Sequence, residues 1–200
     1  MMKQFLLLFL PVWLCATKVN AEFFTIKDYQ VNVTITEEGY ADFEEIIEVE
    51  FSQPRHGIFR YIPYRNKVNN RNLDWVIKDI RIDGHNFTSS KENNNIVLRV
   101  GDADKYVEGK QVYRIQYRVL NPIVSFEEHD QFYWDVLGKG WEVDIENFAF
   151  KILFPEKVKL LQEDVFAYSG VEGSRTQGDL EMQVTPNEIT GKTTRLFSGG

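Results

Sequence analysis

The sequence predicts an all-β protein, built as an antiparallel two-sheet β-sandwich of immunoglobulin-like type with little helix. After the first 21 residues, apolar residues recur with period two almost everywhere, which is the spacing of a strand that buries one face. No window sustains the period of 3.6 that an amphipathic helix requires. Neither a repeat nor a low-complexity linker divides the 200 residues, so we expect one domain from residue 22 to residue 200.

The first 21 residues predict a secretory signal peptide. An early Lys3 precedes an apolar run from Phe5 to Leu14, and the segment ends at Ala21, a small residue of the kind found at cleavage sites. The run is shorter than the about 20 residues that span a bilayer, so we expect cleavage and a mature chain that begins at Glu22. The protein is therefore expected to be exported, to the periplasm or the cell surface.

Composition narrows the classes of partner. Cys15 is the only cysteine and lies in the leader, so the mature domain has no disulfide and depends on its core. The chain has 23 Lys and Arg against 30 Asp and Glu, and removal of the leader with Lys3 and Lys18 changes the net charge from −7 to −9. Nucleic acid and anionic lipid headgroups repel such a protein, and we expect neither as a partner.

Two long strands at the start of the mature chain are predicted to form a hairpin. Apolar residues alternate over Tyr29–Ile35, the turn Glu37–Gly39 follows, and a second alternating run covers Ala41–Phe51. Like charges on one strand face repel each other unless a neighbouring strand supplies cations, and we interpret the carboxylate row opposite this run as a solvated surface. That row is Asp42, Glu44, Glu48 and Glu50.

Further strands are predicted along the rest of the chain. An Asp83–Gly84 pair after the run Val76–Ile82 is a strong hairpin signal. The other alternating runs are Ile96–Val100, Tyr113–Val119, and the looser Asp164–Tyr168, Leu180–Val184 and Ile189–Phe197.

The segment Gln131–Pro155 is the most distinctive part of the sequence. The aromatic run Phe132–Trp134 precedes Gly138-Lys139-Gly140, whose glycines allow backbone angles that other residues resist. The strand that follows changes its apolar phase near Glu146–Asn147, and a strand changes face only with an extra residue. We therefore predict an aromatic-packed hairpin with a β-bulge near Glu146–Asn147.

Two motifs give the chain a family resemblance. The segment His56–Pro63 reads HGIFRYIP, and Phe132–Asp135 reads FYWD before the strand from Gly140 to Pro155. From about Phe23 to Phe197 the sequence resembles the N-terminal region of the YciQ-like predicted bacterial membrane proteins, the family of domain of unknown function 2207 (DUF 2207). The resemblance implies an exported β-sandwich domain followed by transmembrane helices, which are expected beyond residue 200. It supplies no catalytic residue and no cofactor, because no activity is established for the family.

Residues of these motifs are the candidates for a site or an interaction surface. Arg60 could bind a carboxylate or phosphate bidentately, or it could stack on a ring and bridge to an acidic neighbour within the fold. We favour the structural role, because Arg60 stands between two aromatic residues. The full set is Gly57, Arg60, Pro63, Tyr133, Trp134 and Trp141.

The aromatic residues leave two functions open. Trp75, Trp134 and Trp141 could form a flat platform on which sugar rings stack, which would make the protein a carbohydrate-binding module with a glycan as partner. Aromatic side chains also bury large areas, and a sandwich without disulfides needs them in its core. We favour core packing, and hence a non-enzymatic domain that mediates protein interaction or assembly with a partner of unknown identity.

Catalysis and metal binding have little support in the sequence. No spacing motif distinguishes the possible glycosidase carboxylates from the loop residues of an acidic protein. The stretch Asp102–Glu108 is similar to a calcium loop whose glycine and glutamate are misplaced, and we interpret it as a hairpin connection. The three histidines are isolated from one another, so no zinc site is predicted. The carboxylates in question are Glu127, Glu128, Asp130, Asp135 and Glu142.

Overall fold

The computed structural model describes residues 23–68, 71–168 and 180–196, and it confirms the all-β, sandwich-like fold. In these residues the one helical element is a 3-10 turn, Gln162–Asp164. The predicted signal peptide lies outside the described residues. The strands in chain order are β1 Phe24–Ile35, β2 Ala41–Arg55, β3 Ile58–Pro63, β4 Arg65–Val68, β5 Arg71–Asp74, β6 Val76–Ile82, β7 Phe87–Glu92, β8 Asn95–Val100, β9 Val107–Leu120, β10 Ile123–Ser125, β11 Asp130–Phe132, β12 Ile145–Leu153, β13 Glu181–Thr185 and β14 Glu188–Leu196.

Seven strands form the main sheet, in the order β13-β14-β12-β1-β2-β9-β6. The predicted hairpin of β1 and β2 is confirmed, with Phe24 opposite Phe51 and Ile35 opposite Ala41. The central strands β1 and β12 run parallel, so the sheet is mixed although its other neighbours are antiparallel. The strands predicted at Tyr113–Val119, Leu180–Val184 and Ile189–Phe197 correspond to β9, β13 and β14.

A second layer covers one face of the main sheet. Its three strands have the order β3-β8-β7, and two short ribbons, β4-β5 and β10-β11, complete the described strands. Apolar side chains of β3 and β8 share one buried cluster with side chains of β1, β2, β9 and β12. Burial of this cluster between the layers is the main force that holds a disulfide-free domain together.

Two predicted hairpins are wrong because the chain changes sheet at each turn. β6 ends at Ile82 beside β9 in the main sheet, whereas β7 begins at Phe87 beside β8 in the second sheet. Asp83–Gly84 therefore carries the chain between layers. In the same way, the stretch that contains Asp102 connects β8 to β9 across the layers and closes no hairpin.

The aromatic hairpin predicted in Gln131–Pro155 is also wrong. β11 pairs with β10, and β12 lies between β1 and β14. The residues from Tyr133 to Asp144 form no strand. The strand predicted over Asp164–Tyr168 is absent too, since Asp164 ends the 3-10 turn and the four residues after it have no regular structure.

The predicted change of face in β12 is confirmed. Glu146 and Asn147 are both exposed, whereas Ile145 and Phe148 on either side of them are buried. The irregularity in register lies on the adjacent strand, where β1 shifts against β2 between Ile26 and Asp28. The Nδ2 of Asn147 donates to the Lys27 carbonyl at 2.9 Å and so joins the two strands at this point.

The main sheet has two ends that differ in what they carry. Ile26 of β1, Ile145 of β12 and Leu196 of β14 lie side by side at one end, which we call the proximal pole. It also holds the end of β2 and the start of β9, where Arg55 pairs with Val107. The turn between β1 and β2 lies at the opposite end, the distal pole. β1 has 12 residues, so at about 3.3 Å per residue the poles are about 35 Å apart.

Candidate functional site

A carboxylate lies in the middle of the core. Glu45 of β2 is on the same face as Phe43 and Ile47 and is 0% exposed. It was not singled out from the sequence, although the alternation of β2 assigns position 45 to the buried face. A carboxylate removed from water loses several kcal/mol of hydration, so it requires a cation or several donors beside it.

Arg60 of β3 supplies that cation from the second layer. Its Nε donates to Oε2 of Glu45 at 2.6 Å and its Nη2 donates to Oε1 at 2.8 Å. The pair is bidentate, the strongest geometry for a guanidinium and a carboxylate, and the Arg60 side chain is 1% exposed. The Nη1 of Arg60 donates to the Tyr61 carbonyl at 2.6 Å, so every guanidinium nitrogen has an acceptor.

Two tyrosines complete the shell around Glu45. The hydroxyl of Tyr29 on β1 donates to Oε2 at 2.8 Å, and the hydroxyl of Tyr117 on β9 donates to Oε1 at 2.7 Å. The carboxylate therefore accepts four hydrogen bonds from three strands other than its own. We call Tyr29, Glu45, Arg60 and Tyr117 the buried clasp, because it joins the two layers.

The clasp shifts the pKa values of its members. Burial raises the pKa of Tyr29 and of Tyr117 well above the usual 10, and the charge of Glu45 acts in the same direction. Burial by itself would lower the pKa of Arg60, but the attraction of Glu45 outweighs it and raises that pKa well above its ordinary value. Both phenols therefore remain protonated donors and Arg60 remains charged.

The predicted Gly-Lys-Gly turn closes over the clasp. A Cβ at Gly138 would lie 2.1 Å from Nη1 of Arg60, so the backbone contacts the guanidinium directly at a φ of +78°. The Asp135 carboxylate accepts a hydrogen bond from the Gly138 N–H at 3.0 Å and fixes the turn. The ring of Trp141 lies 5.9 Å from Cζ of Arg60, and its Nε1 donates to the Leu137 carbonyl at 3.2 Å. The two sequence motifs thus meet at Arg60.

The other motif residues lie around this centre. Gly57 packs against the backbone of β8, where a Cβ would lie 1.8 Å from the Val100 carbonyl oxygen. Pro63 ends β3 opposite Asn95. Trp134 is partly buried against Phe43, with ring centroids 4.8 Å apart, while Tyr133 is exposed. These residues therefore lie around the core. Among the six candidates, Tyr133 is the large aromatic residue that is exposed.

The tryptophans do not form the platform that a carbohydrate-binding module would use. Trp75 and Trp141 are buried in the main cluster. Trp75 and Trp134 contact each other at 4.9 Å with their planes inclined by 59°. A sugar-stacking surface requires exposed, coplanar rings, and these three rings are neither.

Two of the carboxylates considered for catalysis and calcium binding, Asp135 and Asp102, have local structural roles. Asp135 holds the Gly138 turn, and Oδ1 of Asp102 accepts a hydrogen bond from the Asp104 N–H at 2.9 Å. That bond, with Lys105 close by, lowers the pKa of Asp102. Across the described ranges, no group of three or more His, Cys, Asp or Glu residues is arranged to hold a metal ion.

Cations of β9 pair with three of the four carboxylates in the β2 row, Asp42, Glu44 and Glu48. Arg118 binds Asp42 through two hydrogen bonds of 2.6 and 2.8 Å, and Arg114 donates to Glu44 at 2.5 Å. Lys110 lies 2.7 Å from Glu48. The row is a partly exposed cross-strand ladder of ion pairs, because the neighbouring strand supplies the cations that like charges on one face require.

Two solved structures match most of this chain with TM-scores below 0.5. A native yeast LTA4 hydrolase is 12% identical with a TM-score of 0.44, and the match covers 86% of this chain and 29% of that chain. An M1 zinc metallopeptidase from Deinococcus radiodurans is 10% identical with a TM-score of 0.40, covering 86% of this chain and 38% of that chain. The chain thus spans well under half of either protein, and similarity at this level carries no argument about activity. No curated protein matches the sequence.

A family model gives the stronger result. Its description is predicted membrane protein (DUF2207) N-terminal domain, and it matches residues 25–195. Among the residues that the structure describes, no helix is long and apolar enough to cross a membrane. The matched span runs from β1 to β14 and includes the buried clasp and the glycine turn above it. The chain therefore belongs to the DUF2207 family, as the N-terminal domain of a predicted membrane protein whose function is unknown.

Proposed function

We propose that this chain is a non-enzymatic, extracytoplasmic domain that mediates protein contact or assembly for its membrane protein. The buried clasp supports this proposal, because its ionisable groups satisfy one another. Glu45 accepts from Arg60, Tyr29 and Tyr117, and the guanidinium has no free nitrogen. A catalytic acid, base or anion-binding arginine would need an open side towards a substrate, and the glycine turn covers that side.

The observation that carries the proposal is an exposed aromatic stack on the β10–β11 hairpin. Phe126 is 45% exposed, and its ring is stacked on that of His129 at 5.0 Å and 15°. Cζ of Arg71 lies 5.2 Å from the centre of the Phe126 ring. Aromatic residues and arginine are enriched at protein interfaces and dominate their binding energy.

The hairpin is built to hold this stack in place. The Phe126 N–H donates to the His129 carbonyl at 2.9 Å and closes the turn. Nη1 of Arg71 donates to the Ser125 carbonyl at 3.4 Å, so the β4–β5 ribbon supports the hairpin from the side. A rigid exposed aromatic loses little conformational entropy on binding, which favours a role as an anchor.

Site-specific photo-crosslinking tests the proposal in the intact membrane protein. A photoreactive residue at Phe126 should give a discrete crosslinked protein, whereas the same residue at exposed Ser90 of β7 should not. Phe126→Ala should abolish association without lowering the melting temperature, because the side chain lies at the surface. Equal crosslinking at both positions, or a Phe126→Ala variant that associates normally, would contradict the proposal.

A further inference from the structure

A second surface points to a different partner from the one proposed above. We propose that the proximal pole rests on the surface of a lipid bilayer, with Phe23 and Tyr106 as its interfacial anchors. This goes beyond protein contact at the β10–β11 hairpin, because it assigns the opposite region of the sandwich and a partner of another chemical class.

The path of the chain places the membrane at this pole. β1 begins and β14 ends there, and Ile26 and Leu196 both pair with Ile145 of β12. With strands about 4.8 Å apart, the two ends of the described domain are only about 10 Å from each other. The chain belongs to a family of predicted membrane proteins, so an anchor attached to either end emerges from the proximal pole.

Large aromatic side chains are exposed at the same pole. Phe23 is 48% exposed and Tyr106 is 69% exposed. Cζ of Arg55 lies 3.8 Å from the centre of the Phe23 ring, and the His56 ring lies 4.1 Å from that of Tyr106. A tyrosine ring and an arginine side chain are typical of the headgroup level of a bilayer, and a phenylalanine ring beside them is suited to the apolar layer below.

These anchors are held by the fold. The Ser52 N–H donates to the Phe23 carbonyl at 3.2 Å and keeps Phe23, which precedes β1, against β2. The Nδ1 of His56 lies 3.2 Å from the Asp102 carbonyl oxygen and 3.0 Å from that of Lys105. The loop that presents Tyr106 is therefore fixed to the start of β3, and both rings project from ordered backbone.

The charges at the pole favour a neutral interface. Lys105 and Arg55 face it, but carboxylates from the same loop lie beside them, and Lys105 is 3.6 Å from Asp102. The whole chain has a net charge of −7, which opposes attraction to anionic headgroups. Insertion of the aromatic rings would therefore drive contact, and we expect it to depend little on salt. Asp104 is the other carboxylate of this loop, and Glu108 follows it at the start of β9.

Lipid contact can be measured with the protein tethered in the proposed orientation. The exported chain, with a hexahistidine tag after Gly200, is attached to phosphatidylcholine vesicles that contain a nickel-chelating lipid. A Lys105→Cys variant carries an environment-sensitive fluorophore at the proximal pole, and a Glu37→Cys variant carries it at the distal pole. Spin-labelled lipid should quench the first fluorophore strongly and leave the second unchanged.

Matched substitutions separate true insertion from the effect of the tether. Phe23→Ser with Tyr106→Ser, in the Lys105→Cys background, should reduce quenching severalfold. Phe126→Ser removes a ring of similar exposure from the other surface and should leave quenching unchanged. All variants should keep the wild-type melting temperature, since these side chains are exposed.

Three outcomes would overturn the inference. The first is equal quenching of the fluorophores at positions 105 and 37. The second is quenching at position 105 that persists after both anchors are replaced by serine. The third is quenching at position 105 that occurs only when another protein is present. None of these results depends on crosslinking at Phe126, so failure of the membrane inference and failure of the proposed protein contact are distinguishable.

Discussion

Glu45 and Arg60 illustrate how a charged pair can be accommodated in an apolar core. Removing each ion from water costs several kcal/mol, and the mutual attraction offsets this only when the remaining lone pairs and protons are satisfied. Here the carboxylate has four donors and the guanidinium has three acceptor contacts. The arrangement also fixes the register of β3 in its own sheet, because a one-residue shift would turn Arg60 away from the main sheet and leave the Glu45 carboxylate buried without its cation.

Removal of the Arg60 side chain should be severely destabilising. Arg60→Ala leaves the Glu45 carboxyl group buried without its cation, and we expect the free energy of unfolding to fall by about 3–5 kcal/mol. Glu48→Ala, on the same strand as Glu45, removes a partly exposed pair with Lys110 and should cost less than about 1 kcal/mol. Denaturant titration of both variants measures the difference. Similar denaturant midpoints for the two variants would show that Arg60 is not an essential buried partner of Glu45.

Alkaline pH should weaken the fold through the clasp tyrosines. Burial raises the pKa of Tyr29 and of Tyr117 well above 10 in the native state. Above pH of about 10 the unfolded chain releases phenolic protons that the native chain keeps, so the free energy of unfolding falls as the pH rises. Below that pH, Tyr29 and Tyr117 do not make the free energy of unfolding depend on pH.

Phenylalanine substitution tests this linkage. Tyr29→Phe and Tyr117→Phe should each reduce the slope with which the free energy of unfolding declines between pH 9 and pH 12. At pH 8, each variant should be less stable than the wild type by about 1–3 kcal/mol. Part of the decline should remain, because burial raises the pKa of Tyr113 to about 12. Unfolding curves recorded at several pH values give the slopes. An unchanged slope in both variants would contradict the assignment.

At the scale of elements, the glycine turn after β11 acts as a cover for Arg60. Gly138 has a φ of +78° and touches the guanidinium, while Gly140 at +87° packs against the Tyr61 ring. These contacts explain why an irregular segment stands where the sequence pattern suggested a regular hairpin. In a regular hairpin, side chains would occupy the space in which the glycine backbone now contacts Arg60.

A pair of alanine substitutions separates backbone strain from close packing. Gly39 has a φ of +85° with nothing near its Cβ position, so Gly39→Ala should cost only about 1–2 kcal/mol of conformational strain. Gly138→Ala carries the same strain and also displaces the guanidinium, so its cost should be clearly larger. Thermal melts of the two variants are compared directly. An equal loss would mean that the turn does not press on the clasp.

Local pattern predicted the long strands well and their partners poorly. β1, β2, β8 and β9 were evident because each alternates over one buried face. Asp83–Gly84 looked like a hairpin because turn residues signal a reversal but do not specify the next pairing partner. The parallel neighbours β1 and β12 are more than 100 residues apart, and no local signal connects them.

About half of the candidate site could be predicted from the sequence. Arg60 and the segment up to Trp141 stood out as motifs, and the structure brings them together. Their acidic partner was missed because Glu45 is one of several glutamates on β2, and residue type alone suggests an exposed position. Its phase, shared with Phe43 and Ile47, was the available signal. The roles proposed for Phe23, Tyr106 and Phe126 depend on tertiary position and had no signature in the sequence.

At the scale of the whole molecule, the protein is a two-layer sandwich whose surfaces are divided by position. The proximal pole carries both ends of the described domain, and the β10–β11 hairpin follows the distal end of β9. A domain that rests on a bilayer at one pole presents the other region to proteins outside the membrane. The rigid core between them would keep the two surfaces at a fixed separation.

Trp134 and Trp141 should behave as core residues of this domain. Trp141→Ala removes a buried ring that contacts Tyr29, and we expect a loss of about 3–5 kcal/mol. Trp134→Ala, at a partly buried position, should cost less. Melting temperature and retention on a polysaccharide column distinguish this from sugar binding. Stable variants that no longer bind a polysaccharide retained by the wild type would contradict the core assignment.

A double-mutant cycle at Glu45 and Arg60 tests the central claim, that a buried ion pair joins the two layers of the domain. Glu45→Leu and Arg60→Met should each cost about 3–5 kcal/mol, because each leaves one buried charge without its partner. The double variant should cost clearly less than the sum of the two single losses, because it leaves no unpaired charge, while the hydroxyls of Tyr29 and Tyr117 still lose their acceptor. Global unfolding by denaturant gives all four free energies. A strongly favourable coupling, with one cooperative transition throughout, is the predicted result; costs that simply add would contradict the account.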